Sequence, residues 1–200
     1  MPGVVRSVLF YGVMTIGAAF LAAFARLPSL FTAPEGDRGV ASLALAVLLS
    51  ALVVLGGRRL EGQVWYARMG DVLRPVVRLL VGPRAGPPEL FLLAASSGIG
   101  EEALFRGALQ PWLIRIFERY VVSSEALALA MGISAATLLF TALHPPLHKD
   151  LRPWTIFALV IGFALGGLAA WSGSLAAPVL AHFLMNFFNL RRLLEDPSRC

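Results

Sequence analysis

Long runs of apolar residues separated by short basic stretches constrain this 200-residue chain more than any other feature. Six such runs can be read: Val4–Ala25, Gly39–Gly57, Pro87–Phe117, Val122–His144, Leu151–Ser172 and Ser174–Leu190. A helix needs about 20 residues to cross the hydrocarbon core of a bilayer. No water is available there, so each backbone N–H and C=O must be satisfied internally, which makes such runs helices rather than open strands. Composition agrees, with 58% hydrophobic and 14% charged residues, against about 25% charged in an ordinary soluble domain. Disorder does not account for the missing charge, because disordered chains are poor in apolar residues. The expected fold class is all-α, a polytopic membrane helix bundle of about six transmembrane helices.

Leu60–Val81 reads differently. It mixes arginines and acids with Val, Trp, Tyr and Leu, the pattern of an amphipathic helix lying at the interface with Trp65 and Tyr66 at headgroup level. A single integral membrane domain over 1–200 follows. It divides into two N-terminal spans (1–57), a basic interfacial segment (58–86) and core helices (87–190). Arg6 followed by an apolar run and Ala23-Phe24-Ala25 also resembles a cleavable signal. The run is long for a signal core, which favours a retained anchor. The one cysteine, Cys200, allows no internal disulfide and, as the last residue, heads no prenylation box.

The net charge of +5 does not indicate nucleic acid, because the arginines fall between apolar blocks, where they set membrane topology. No nucleic-acid partner is expected, and no phosphate-binding loop or internal repeat is present. The Arg-rich, Lys-poor composition suggests a bacterial protein, hence one of the inner (plasma) membrane.

Within the apolar runs, a few polar residues stand where they are costly and so suggest function. The third run contains Gly100-Glu101-Glu102-Ala103-Leu104-Phe105-Arg106. Residues four apart share a helix face, so Glu102 can pair with Arg106, while Glu101 points about 100° away. Both acids could instead serve only to bind this helix to its neighbours. The fourth run ends Phe140-Thr141-Ala142-Leu143-His144-Pro145-Pro146; the prolines stop the helix and place His144 on its last turn. A capping or interface histidine is the plainer reading of that residue taken alone, and His148 beyond it reads as solvated. The sixth run places His182 and Asn186 four apart, two donors aimed at one point, as an oxyanion requires. An interhelical hydrogen bond would use the same residues. Together, a carboxylate, two histidines and an amide on apolar helices make a poor structural set and a coherent hydrolytic one.

Three motifs in this order resemble the CAAX protease and bacteriocin-processing family, the Rce1-type glutamic intramembrane proteases. They are Glu-Glu-x-x-x-Arg (Glu101, Glu102, Arg106), Phe-x-x-x-His (Phe140, His144) and His-x-x-x-Asn (His182, Asn186). The likeness covers roughly Pro87 to Leu190. It implies an intramembrane endopeptidase without a cofactor, acting on a membrane-associated protein or peptide. In that reading Glu101 and His144 activate a water molecule, and His182 and Asn186 hold the oxyanion. Glu102, Arg106 and Phe140 brace the site. Substrates it suggests include a bacteriocin leader, a lipid-anchored protein or a C-terminal sorting helix of the kind myxosortase-type members process. A zinc peptidase using His144, His182 and a glutamate is an alternative, although His-Glu-x-x-His is absent. A non-catalytic scaffold or immunity protein is another.

Orientation follows from the basic residues. With both termini cytoplasmic, twelve Lys and Arg fall on the inner side and four (Arg26, Arg38, Arg115, Arg119) on the outer, as the positive-inside rule favours. Single cysteines introduced between Arg58 and Arg84 in a Cys200→Ser background should therefore react with an impermeant maleimide only after permeabilisation. Labelling in intact cells would reverse the orientation.

Overall fold

The computed structural model describes residues 2–27 and 36–195. Arg199, part of the charge count above, and Cys200 lie outside the described residues. Within them the chain is helical and no strand occurs. In order the elements are α1 (Pro2–Phe24), α2 (Gly36–Leu60), α3 (Val64–Val81), α4 (Pro87–Glu102), a π-helix (Ala103–Leu109), α5 (Gln110–Tyr120), α6 (Glu125–Ala142), a 3₁₀ turn (Lys149–Leu151), α7 (Arg152–Ser172) and α8 (Ala176–Leu194). Four segments are long and apolar enough to cross a membrane: Gly3–Phe24, Gly36–Leu60, Glu125–Ala142 and Lys149–Ser172. The other two runs read in the sequence, α4 through α5 and α8, carry the polar residues.

The bundle is apolar outside. On α1, Leu9, Val13, Ile16 and Phe20 are exposed, while Ala18 and Ala22 are buried. Lipid rewards no difference between inside and outside for a leucine, so helices approach through small residues instead. Three seams show this. Along α2 and α8, Ala46, Ala177 and Ala181 are buried and Ser50 donates to the Ala181 carbonyl at 3.2 Å. Between α4 and α8, a Cβ added at Gly98 would lie 3.2 Å from the Phe183 nitrogen. On α7, Gly162 and Gly166 lie against the Thr137 and Gln110 side chains.

Contacts fix the relative directions of α1, α4–α5 and α8. α1 runs parallel to α4–α5: Tyr11 lies beside Gly100, and Arg115 donates to the carbonyls of Ala25 and Arg26 at 3.1 and 2.9 Å. α8 is antiparallel to α4, since Gly98 meets Val179 and Phe183 while Asn186 meets Ser97. α3 ties in at the far end, where Arg74 Nε donates to the Leu193 carbonyl at 3.0 Å near the end of α8. That is the usual place for a cation at a helix C-terminus.

Several boundaries differ from those expected. The amphipathic helix starts at Val64 rather than Leu60, because Leu60 closes α2 and a short turn intervenes. α6 ends at Ala142 with Leu143 as its cap, so His144 stands just past the helix rather than on its last turn. The paired prolines act earlier than expected, since the residue before a proline avoids the helical region. The third run is not a plain α-helix. Pro111 has no N–H, and its ring crowds the carbonyl four residues back. The chain widens into a π-helix just before it, in which the Gln110 N–H reaches Phe105 O, five residues back.

The α7 seam gives a stability test. A methyl at Gly162 would lie 2.8 Å from Thr137 Cγ2 and 3.5 Å from Arg106 Nη2, whereas Gly167 has nothing within 4 Å. Gly162→Ala should cost about 1–3 kcal/mol by overpacking and lower the Tm in detergent. Gly167→Ala should leave the Tm unchanged or raise it.

Candidate active site

Four buried ionisable side chains from two helices and the π segment meet inside the bundle. Glu102 is fully buried, and Glu101, Arg106 and His182 are each at most 9% exposed. A charge in such a place must be paired, because its hydration is lost. Glu102 Oε1 is paired twice: Arg106 Nη1 donates to it at 3.0 Å and His182 Nδ1 lies 2.7 Å away. Arg106 Nη2 donates to the Gly162 carbonyl at 3.1 Å, and its guanidinium sits 4.5 Å from the centre of the Phe140 ring. One turn on, Gln110 Nε2 donates to Gly166 O at 3.0 Å. The missing side chains at Gly162 and Gly166 let α7 come close enough for its carbonyls to accept these second bonds.

Glu101, the adjacent residue, is treated otherwise. Oε2 of both glutamates is buried without a hydrogen-bond partner among the described residues, but that of Glu101 lies 3.8 Å from His182 Nε2. His182 therefore stands between two glutamates. With Glu102 accepting at Nδ1, the ring presents Nε2 to Glu101. A gap of 3.8 Å is too long for a direct hydrogen bond, yet one oxygen atom could reach both at about 2.8 Å.

Antiparallel packing extends the site one turn along both helices. Asn186 Nδ2 donates to Ser97 Oγ at 3.0 Å, and Ser97 Oγ donates to Ala94 O at 3.2 Å. One amide hydrogen of Asn186 remains for another acceptor. Ser97 carried no signal in the sequence, being one of two adjacent serines on an otherwise apolar stretch.

His144 approaches from the end of α6. Its Nδ1 lies 2.9 Å from Phe140 O, and a carbonyl only accepts, so Nδ1 carries a proton and Nε2 is free for other work. The ring packs at 4.6 Å on Phe140 and 4.9 Å on Trp154, and Thr155 Oγ1 holds the His144 carbonyl at 2.7 Å. Phe140 lies between the two histidines, 6.2 Å from the His182 ring. His148, by contrast, is exposed and pairs with Asp150 at 3.4 Å, outside the site. Tyr11 of α1 lies against Gly100, the residue before Glu101, and interacts with that carboxylate; nothing in the sequence of its span marked it. Among the described residues no three His, Cys, Asp or Glu side chains are placed to hold a metal ion.

An integral membrane helix bundle around a buried acid–base cluster is the class these features define. The chain belongs to the type II CAAX prenyl endopeptidase Rce1-like family, a family of proteases whose sequence profile matches residues 83–188. That stretch holds α4 to most of α8 and every polar residue just described except Tyr11. The chain is also 32% identical over 101 residues to the uncharacterized protein YpbD of Bacillus subtilis (strain 168). The aligned part is 50% of this chain and 42% of that relative, so less than half of the relative is spanned. No solved structure matches the chain.

The double pairing of Glu102 gives a test. Glu102→Ala leaves Arg106 buried beside no anion, typically a cost of about 3–5 kcal/mol. A large fall in detergent Tm is expected. Glu102→Ala combined with Arg106→Ala should recover part of that fall, because no buried charge is then stranded; a further fall would show that the pair is not the source of the loss.

Proposed function

We propose that this chain is an intramembrane endopeptidase that cleaves a membrane-associated protein or peptide with a glutamate-activated water. The observation that carries the reading is the unequal treatment of the two adjacent glutamates. Oε2 of both glutamates is buried without a partner among the described residues, but Glu102 is fixed through Oε1 by two donors, whereas Glu101 Oε2 lies 3.8 Å from an imidazole nitrogen. A base must have a free lone pair within hydrogen-bond reach of the proton it takes. Glu101 Oε2 offers one beside His182 Nε2, whereas the open oxygen of Glu102 belongs to a carboxylate already bound by Arg106 and His182.

In the proposed reaction Glu101 takes a proton from water as the oxygen attacks the scissile carbonyl carbon. The carbonyl π electrons move onto oxygen. The oxyanion is met by the spare N–H of Asn186 and by His182 Nε2 when that nitrogen is protonated, with Glu102 as the counter-charge on the Nδ1 side. As the C–N bond breaks, the electron pair stays on the amine nitrogen, and a proton is returned to it from Glu101. His144, held by the Phe140 carbonyl and ring, offers Nε2 to the attacking water or to the departing amine. The site is reached in a bundle whose outer face is apolar, which suits a substrate that itself partitions into or onto the membrane. The same reading places the protein in a bacterial plasma membrane with both termini cytoplasmic.

The test compares membrane fractions from cells carrying the native protein and Glu101→Gln, looking for a polypeptide that accumulates uncleaved. Glu101→Gln should abolish cleavage while accumulating and folding normally, because the amide is nearly isosteric but takes no proton. Asn186→Ala should slow cleavage by about 10²–10³-fold, the usual effect of losing one oxyanion donor. Chelators should leave the rate unchanged. A Glu101→Gln protein that still supports the native phenotype would point to a scaffold, and a chelator-sensitive rate to a zinc enzyme.

A further inference from the structure

We propose that Tyr11 is a positioning residue for Glu101, its hydroxyl donating to the carboxylate from the first helix. This rests on the reading of Glu101 as the base. The geometry is built from the backbone outward. α1 faces α4 and the π-helix with a stripe spaced three or four residues apart: Ser7, Tyr11, Met14 and Ala18. Ser7 anchors one end, its Oγ donating to the Leu80 carbonyl at 3.3 Å. Ala18 packs with Ala103 and Ala108 at the other.

Between these anchors the helices touch closely at the residue before the candidate base. A Cβ on Gly100 would lie 2.8 Å from Tyr11 O and 3.0 Å from Tyr11 Cβ. Only glycine permits that approach, which brings Tyr11 against the residue preceding Glu101 and lets the two side chains interact. The Tyr11 ring is held on the apolar cluster of Val77, Val81, Leu90 and Leu93. Met14, one turn on, packs on the cluster that contains Phe105 and Phe140.

Glu101 is thus faced from α1 by Tyr11 and from α8 by His182, with Glu102 and Arg106 behind that histidine and His144 beyond Phe140. With Oε2 unpartnered, a tyrosine donor to this carboxylate fixes which lone pairs remain for water. A carboxylate hinged at three rotatable bonds would otherwise sample rotamers that turn it away from His182.

The decisive variant is Tyr11→Phe, which keeps the ring and removes the hydroxyl. Its first readout needs no substrate. A carboxylate infrared band absent from Glu101→Gln should shift in purified Tyr11→Phe protein, and an unmoved band would overturn the proposal. The second uses a lipidated, internally quenched peptide cleaved by the native protein, with Glu101→Gln run beside it. On it, kcat should fall about tenfold in Tyr11→Phe, the scale of one lost hydrogen bond to a charged group. KM and Tm should stay at their native values. A native kcat, or a fall matched by a lowered Tm, would make Tyr11 a packing residue only. Cleavage that survives Glu101→Gln would instead refute the assignment of the base, a result the infrared measurement on Tyr11 does not share.

Discussion

Everything in this bundle is arranged around one fully buried carboxylate. Glu102 accepts from Arg106 at 3.0 Å and from His182 at 2.7 Å through a single oxygen. In water such pairs are worth little, because solvent competes for each partner. Inside a dry bundle, separating them leaves an unhydrated charge, so the pairing dictates which helices lie together. Arg106 then carries the constraint to α7 through Gly162 O, and His182 carries it to α8. Three elements are fixed by one side chain.

That arrangement makes demands on the backbone. Arg106 must reach Glu102 and the α7 carbonyl at once, and Gln110 must reach the next carbonyl along α7. Gly162 and Gly166 allow the approach, and the π-helix carries both side chains along that face up to Pro111. π-helical turns are uncommon and tend to fall at functional sites. Here the turn follows directly on the two glutamates. The close contacts of Gly98 with Phe183 and of Gly100 with Tyr11 do the same for α8 and α1, on the two flanks of Glu101.

Much of this was legible in the sequence where a polar residue stood out against an apolar background. The Glu102–Arg106 pair follows from spacing alone, and the free Glu101 carboxylate follows from that pair. What spacing could not show was the double duty of His182, whose Nδ1 is already committed to Glu102. Four-residue spacing relates residues on one helix and says nothing about partners across a seam. Ser97 and Tyr11 were illegible for the same reason. A serine bonded to its own helix costs little in an apolar stretch, and a tyrosine is at home at a membrane helix face, so neither stands out until packing supplies its neighbour. His144 was read on the last turn of its helix. The helix stops before it, and the Phe140 carbonyl and Thr155 hydroxyl fix it instead of a continuing helix.

The adjacency of the two glutamates is itself a physical solution. Neighbouring residues on a helix diverge by about 100°, the largest separation that consecutive positions offer without a break in structure. One carboxylate can therefore be locked into the bundle while the next, on the same rigid turn, faces a different neighbour. Locking the first also fixes the second in space, since they share a backbone held by Arg106 on one side and His182 on the other. His182 is what connects the two. With Nδ1 toward Glu102 and Nε2 toward Glu101, its tautomer and orientation are set by the structural carboxylate and presented to the free one. Exchanging the roles of the two glutamates would require Arg106 to be reached from position 101, five residues away on the helix. The pair that forms is the four-residue one, Arg106 Nη1 to Glu102 Oε1 at 3.0 Å, with Nη2 on the Gly162 carbonyl.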